Sequence, residues 1–455
     1  MKSLITSTNN SQLSIEKSCS LKRTLSKLEK TFSIIESPEL ADFVNWSSNT
    51  KIPIHRWYRY REAYAPGLIT KLNLKETILD PYCGCGSVIV GAAQLGLKSV
   101  GVDINPIATF VSRVKLTPLS EKQINEVVVF YDKFQEEVDN YDPSPIPKLN
   151  ISLKVFEPEI LDYLLKLKNY IISFSNNDEA LQNFLFLAWL SILEDVGSYF
   201  KEGNGIKYRN KKRLKNGYIK REEGAWQLKR FGADQRAFVI SKFKEQLSVM
   251  ISDVNYWKAG AWGLQKVIQG SALALNDLVG ETQFDSIIFS PPYANRFDYF
   301  ESMKVELWFG GFVNSYEELN SLRKKSIRSH LGADLARPAI EFEPLEEIIS
   351  LMDRNSSSWR MRVPTALRGY FSDMYQTLLH CRNLTPSGTC YIVIGNSAFA
   401  GTIVPSDTLI AQLGLKAGFN SAKLLVARHL TVAPQQRLQL TGLESFMRES
   451  IVVLN

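Results

Sequence analysis

The sequence predicts an α/β protein, a seven-stranded doubly wound sheet interrupted by a large helical insertion. Three observations carry this. Seven short β-branched or aromatic runs alternate with stretches of helical periodicity, the pattern of strands joined by crossover helices. One run, Thr77-Ile78-Leu79, leads into Asp80-Pro81-Tyr82-Cys83-Gly84-Cys85-Gly86-Ser87 and then directly into the helical Val88-Ile89-Val90-Gly91-Ala92-Ala93. Another, Ile287-Ile288-Phe289, stops at the rigid polar segment Ser290-Pro291-Pro292-Tyr293. Ligands of such sheets sit at the carboxyl ends of the strands, so these two segments are expected on one edge despite their separation in sequence.

The elements follow in order. Residues 1–50 are expected to be an N-terminal extension, its Ser-, Lys- and Thr-rich part over 1–40 loosely ordered. Residues 51–117 form the first half of the sheet domain. They open with Trp57, Tyr58, Tyr60 and Tyr64 and hold strands near 77–80 and 99–102 and a helix starting at Pro106. Helical patterns near 119–140, 157–174, 178–196 and 233–258 make 118–260 the insertion, with a breaker at Asp142-Pro143-Ser144-Pro145-Ile146-Pro147. Strands near 266–269, 284–289, 389–395, 421–428 and 449–454 place the second half at 261–455, with a second insertion at 311–365.

The 455-residue chain carries a formal charge of +7, which permits a polyanionic partner without requiring one. Its five cysteines are odd in number and dispersed, which argues against a disulfide framework and for a reducing cytoplasm. No signal-like or 18-residue apolar segment is present, so a soluble, unsecreted protein without a membrane partner is expected. Cys83 and Cys85 lack a matching Cys or His cluster, so no metal site is expected.

The residues themselves define a chemistry. Gly84 and Gly86 let the backbone approach a ligand closely. Asp103 ends the second strand 17 residues after Gly86, the position from which an acid accepts hydrogen bonds from ribose hydroxyls. An N-cap role before Asn105-Pro106 is its alternative. The third glycine of a dinucleotide fingerprint is absent, which disfavours NAD. In Ser290-Pro291-Pro292-Tyr293 the prolines stiffen the turn and withhold N–H donors. A hydroxyl, free carbonyls and an aromatic face together suit a planar exocyclic amine. Asn295, Arg296, Asp298 and Tyr299 either line that pocket or cap the following helix. The window Lys207–Arg236 sets eleven basic residues against three acidic ones in a glycine-containing, loop-like stretch; it is either a nucleic-acid contact or a solvated surface.

Taken together, Asp80-Pro81-Tyr82-Cys83-Gly84-Cys85-Gly86 and Ser290-Pro291-Pro292-Tyr293 resemble the S-adenosylmethionine-dependent amino-methyltransferases of DNA. The resemblance spans residues 50–115 and 265–455. It implies the methyltransferase (Rossmann-like) form of the sheet, S-adenosylmethionine as cofactor and double-stranded DNA as substrate. It also implies a restriction–modification setting, with a cognate restriction endonuclease as candidate partner. The serine form of the tetrapeptide is more typical of N4-cytosine than of N6-adenine enzymes. By resemblance, Ser290, Pro291, Pro292 and Tyr293 are catalytic. Trp57, Tyr64, Asp80, Tyr82, Gly84, Gly86, Asp103 and Ser271 are the cofactor candidates, although Ser271 stands where the family usually has an acid. Trp57 and Tyr64 read equally well as core wedges. Lys211, Lys212, Arg213 and Arg296 are the candidates for DNA contact. The insertion lies before the third strand rather than after it, a departure from the family's common layouts. Adenine-N6 methylation, RNA amine methylation and an inactive DNA-binding protein are the competing readings.

Overall fold

The computed structural model describes residues 18–61, 63–203, 205–213, 219–221, 225–258, 260–432 and 434–455. Its centre is a sheet of β1 (Ser33–Glu36), β2 (Thr77–Asp80), β3 (Lys98–Asp103), β4 (Gln265–Gln269), β5 (Ser286–Phe289), β6 (Thr389–Gly395), β7 (Ala422–His429) and β8 (Arg448–Leu454). The spatial order is β1-β7-β8-β6-β5-β2-β3-β4. Neighbours are parallel except β8, which runs antiparallel to both β6 and β7.

The α/β class is as expected, but the strands number eight rather than seven. The additional strand, β1, comes from the segment expected to be loosely ordered, and pairs in parallel with β7, Ile34 beside Leu424. A helix over 18–29 precedes it and buries Leu21, Leu25 and Leu28. These three leucines recur at helical spacing, a signal that the polar composition around them masked. Burying them against the sheet offsets the entropy of ordering the segment.

The central strands are buried on both faces and read as continuous apolar runs, as parallel strands do. β5 is buried throughout its length. One face carries the long helix Val363–Leu384 and the helix Ser406–Lys416, whose apolar residues share a core with Phe289 and Ile392. The other carries Ser87–Gln94 and Pro106–Leu116.

The region 118–260 packs the helices Glu121–Glu137, Pro158–Phe174, Glu179–Ser191 and Gln235–Asp253 around an aromatic core. In it Phe130 stacks on Tyr170 at 5.0 Å and meets Phe174 edge-on at 5.0 Å, a favoured aromatic geometry. The region is not helical throughout. Tyr199–Glu202 pairs with Gly205–Tyr208, and Lys211–Arg213 pairs with Ile219–Arg221, in two antiparallel ribbons. The basic window expected to be loop-like therefore holds strands and a helix, Ala225–Phe231. Gly203, which follows the strand Tyr199–Glu202 just ahead of this window, has φ +57°.

Asp253, at the end of the last long helix, is fully buried. It accepts from the Ile54 N–H at 2.9 Å, Arg56 Nε at 3.0 Å and Trp57 Nε1 at 3.0 Å. The insertion thereby grips the aromatic segment that leads into β2. Among the described residues no helix is long and apolar enough to cross a membrane.

Candidate active site

β2 ends in Asp80, and the chain turns through Gly84 at φ +50° and Gly86 at φ +82°. Both angles are strained for a side-chain-bearing residue. A Cβ on Gly84 would also lie 2.8 Å from the Tyr60 ring, and one on Gly86 2.8 Å from Ser112 Oγ. The turn is tied down from three sides. Cys83 N–H donates to Val102 O at 3.0 Å, Ser112 Oγ to Gly84 O at 2.9 Å, and buried Lys115 Nζ to Cys85 O at 3.1 Å. Cys83 and Cys85 are buried and neither is in a disulfide. Cys83 fits because β3 has Gly101 beside it, where a Cβ would lie 2.9 Å away.

Asp103 ends β3 next to this turn. Its Oδ2 accepts from Gly84 N–H at 2.9 Å and its Oδ1 from Asn105 N–H at 2.8 Å. Burial pushes its pKa up to about 6, against the pull of those backbone donors. Capping of the next helix falls to Asn105, whose side chain accepts from Ile107 N–H at 3.1 Å. Asp80 lies beneath the turn, 1% exposed. It accepts from Tyr82 N–H at 3.0 Å and Tyr64 Oη at 3.1 Å, and burial pushes its pKa up to about 8.

Beyond β5, Ser290-Pro291-Pro292-Tyr293 lines the same cleft, of about 650 Å³, as Tyr64, Tyr82, Gly84, Asp103 and Ser271. The Tyr293 hydroxyl donates to Glu449 Oε1 at 2.7 Å. Its ring passes over Gly395, where a Cβ would lie 2.9 Å from it. Ser271 donates from Oγ to Lys325 O at 2.8 Å.

Other sequence candidates stand elsewhere. Trp57 is 0% exposed and lies off the cleft wall, edge-on to Phe184 at 5.4 Å and Trp257 at 5.2 Å. Asp80 and Gly86 support the wall from behind. Arg296 does not line the cleft; it has φ +67° and stacks over Phe399 at 5.6 Å. Asp298 caps the helix Tyr299–Ser302, whereas Asn295 and Tyr299 face the cleft. Lys211 to Arg213 stand on the second ribbon. Lys211 is exposed, its ammonium 4.2 Å from the centre of the Tyr208 ring. A second, smaller basic cluster in the sequence, Arg323-Lys324-Lys325 with Arg328, is partly structural. Arg328 is buried against Asp373 at 2.7 Å, and Arg323 pairs with Asp298 at 2.9 Å.

The cleft also holds residues that sequence reasoning missed. Tyr60, Trp46 and Ser47 wall the glycine-turn side. His330 lines the opposite side; its Nδ1 accepts from Gly332 N–H at 3.1 Å, and burial lowers its pKa below the usual histidine value. Arg428 and Glu449 complete the wall near Tyr293. Two of these left a trace in the sequence: Tyr60 within the aromatic segment 57–64, and Glu449, a carboxylate just ahead of the apolar run 451–454.

A mostly parallel sheet, with a glycine turn and an acid at adjacent strand ends and a polar tetrapeptide on the strand next to the turn, has the layout of the ligand clefts of α/β sheets. The chain is 22% identical over 410 residues to the type II methyltransferase M.AvaI of Nostoc sp., covering 84% of this chain and 82% of that protein. It is 24% identical over 478 residues to the type II methyltransferase M.BsoBI of Geobacillus stearothermophilus, covering 94% and 91%. A third relative, the type II methyltransferase M.MvaI of Kocuria varians, is 21% identical and covers 86% of each chain. Homologues over most of the chain are thus type II methyltransferases. No family model matches.

Proposed function

We propose that this protein is a restriction–modification DNA methyltransferase that methylates the exocyclic N4 of cytosine, using S-adenosylmethionine. The observation that carries the reading is the convergence of the glycine turn, Asp103 and Ser290–Tyr293 on one cleft. The similarity to type II methyltransferases along most of the chain supports the DNA substrate.

The residues fit the cofactor. The positive-φ turn leaves no room for a Cβ at Gly84, and Asp103 keeps lone pairs beyond the two backbone donors it already accepts. In this reading Asp103 accepts from the ribose hydroxyls and Tyr60 and Tyr64 wall the ligand. Bound S-adenosylmethionine would supply an electrophilic methyl group; the amine lone pair would form the new C–N bond as the C–S bond breaks with its electron pair left on sulfur, and the amine would then release one proton to solvent.

The chain's contribution is to activate the amine. The nitrogen lone pair of cytosine N4 is delocalised into the ring. Ser290 Oγ and the Pro291 carbonyl accept the two amine hydrogens and draw the nitrogen toward tetrahedral geometry, so its lone pair points along the cleft. Positioning and charge complementarity of this kind supply the rate. Tyr293 offers a stacking face for a base extruded from the duplex. The basic ribbon supplies phosphate contacts. Its register sets Lys211 opposite Arg221 and Lys212 opposite Lys220.

Incubation of unmethylated genomic DNA with the protein and labelled cofactor, followed by nucleoside mass spectrometry, tests the reading. N4-methylcytosine is expected. N6-methyladenine would overturn the base assignment, and no labelled nucleoside would overturn the enzyme reading. Ser290→Ala should slow single-turnover transfer while cofactor and DNA still bind. Tyr293→Ala should in addition weaken base retention by ~1–3 kcal/mol, read with a fluorescent base analogue.

A further inference from the structure

Resting on the methyltransferase reading, we infer that Arg428, held by Glu449, reads the O2 and N3 acceptors of the target cytosine. It is the residue that selects this base over adenine.

The inference starts from strand geometry. β7 and β8 pair residue for residue from Ala422–Leu454 to Val426–Ser450, and then Arg428, not Ala427, stands opposite Glu449. Ala427 is therefore an extra residue in β7, a bulge. Bulges beside binding sites re-aim side chains. Without it a methyl group would face Glu449.

Because β8 runs antiparallel to its neighbours, Glu449 stands at the edge where β6 and β7 end. It lies opposite Gly395 on one side and Arg428 on the other. Tyr293, from the end of β5, reaches over Gly395 to the same carboxylate. The row Tyr293–Gly395–Glu449–Arg428 thus crosses four strand ends, and Tyr293, Glu449 and Arg428 line the cleft.

Glu449 fixes both partners. Its side chain is 6% exposed; Oε1 accepts from Tyr293 Oη at 2.7 Å and Oε2 from Arg428 Nε at 2.6 Å. The Arg428 side chain is 39% exposed. Among the described residues no group accepts from either of its terminal nitrogens. A guanidinium clamped through Nε presents its remaining N–H groups as a fixed fork, suited to two adjacent acceptors.

That fork matches one base. With the amine at Ser290, the rest of the cytosine edge offers N3 and O2, two neighbouring acceptors. The corresponding edge of adenine offers N1 and then a C–H. Adenine would leave one desolvated donor of the fork unpaired, and sites built on such hydrogen bonds reject analogues lacking the partner. A phosphate is the alternative acceptor for the same fork.

The test uses the full-length protein on unmethylated genomic DNA. Arg428→Lys keeps the charge but loses the fork. It should lower kcat/KM for cytosine methylation by roughly ten- to a hundredfold, with cofactor affinity and the salt slope of DNA binding unchanged. Glu449→Gln keeps one acceptor oxygen for Arg428 Nε and can donate its amide to Tyr293 Oη, so it should retain more activity than Glu449→Ala. Calorimetric cofactor binding establishes that each variant is folded. Wild-type rates from Arg428→Lys would overturn the inference, as would a shallower salt slope for Arg428→Gln, which marks a phosphate contact. An adenine product from the wild-type protein would overturn the base selection but not the methyltransferase reading. No product at all would overturn the reading on which this inference rests.

Discussion

Asp103 is oriented by its own backbone before any ligand arrives, since Gly84 N–H and Asn105 N–H each hold one of its oxygens. A preset acceptor loses little entropy on binding, so its removal should register directly in affinity. Charge-assisted hydrogen bonds are typically worth ~1.5–3 kcal/mol, so Asp103→Ala should weaken S-adenosylmethionine binding by roughly ten- to a hundredfold in calorimetry. The pH dependence has a definite sign. Burial raises the Asp103 pKa from 3.8 to about 6. Ribose hydroxyls donate to the charged carboxylate, so affinity is full above about pH 6 and falls as the pH drops through that value. Asp103→Asn should abolish this dependence. An Asp103→Ala variant that binds normally would remove the residue from the site. Asp103 was legible in the sequence because an acid at a strand end is a local signal. Trp57 shows the opposite outcome. It read equally as cofactor wall and core wedge, and its indole donates to Asp253, 196 positions away, a partner no local pattern reveals.

At the level of elements, the basic window illustrates how composition and structure diverge. Composition made Lys207–Arg236 read as loop, but Lys211–Arg213 pairs with Ile219–Arg221. A two-stranded ribbon is one of the shapes a DNA major groove admits. If the ribbon meets DNA, replacing Lys211, Lys212 and Arg213 by Gln should flatten the dependence of log affinity on log salt by up to about three units. Cofactor affinity should not change. A steady salt slope in filter-binding or anisotropy titrations would mark the ribbon as solvated surface. The smaller cluster was less informative than it looked. Two of its four basic residues, Arg323 and Arg328, are committed to carboxylates inside the fold.

For the molecule as a whole, the insertion and the sheet share one core. Ile107 and Val111 of a sheet-covering helix belong to the same buried cluster as Phe130, Phe184 and Phe243 of the insertion. Asp253 is a polar link between them, fully buried and accepting from four N–H groups of Ile54, Arg56 and Trp57. Taking it away leaves a peptide N–H, an indole N–H and a guanidinium without their acceptor. Arg56, 31% exposed, can turn to water, whereas each buried donor left unsatisfied typically costs about 1–3 kcal/mol. Asp253→Ala should lose that much in urea denaturation, and Asp253→Asn less. A loss under about 1 kcal/mol would mean that water replaces the carboxylate at little cost.

The sequence by itself determined the class of the fold, the seven strands β2 to β8 to within a residue or two, and the two motifs that face the cleft. These are local patterns: apolar runs, glycines at a strand–helix turn, a rigid tetrapeptide at a strand end. Tertiary structure alone decided the eighth strand, since β1 exists only by pairing with a strand almost 400 residues later. It decided that Trp57 supports the core while Tyr60 walls the cleft. It also decided the row at the sheet edge, because an antiparallel β8 and a one-residue bulge bring Arg428, Glu449 and Tyr293 together. Register and strand direction come from pairing between distant segments, and no window along the chain contains both partners.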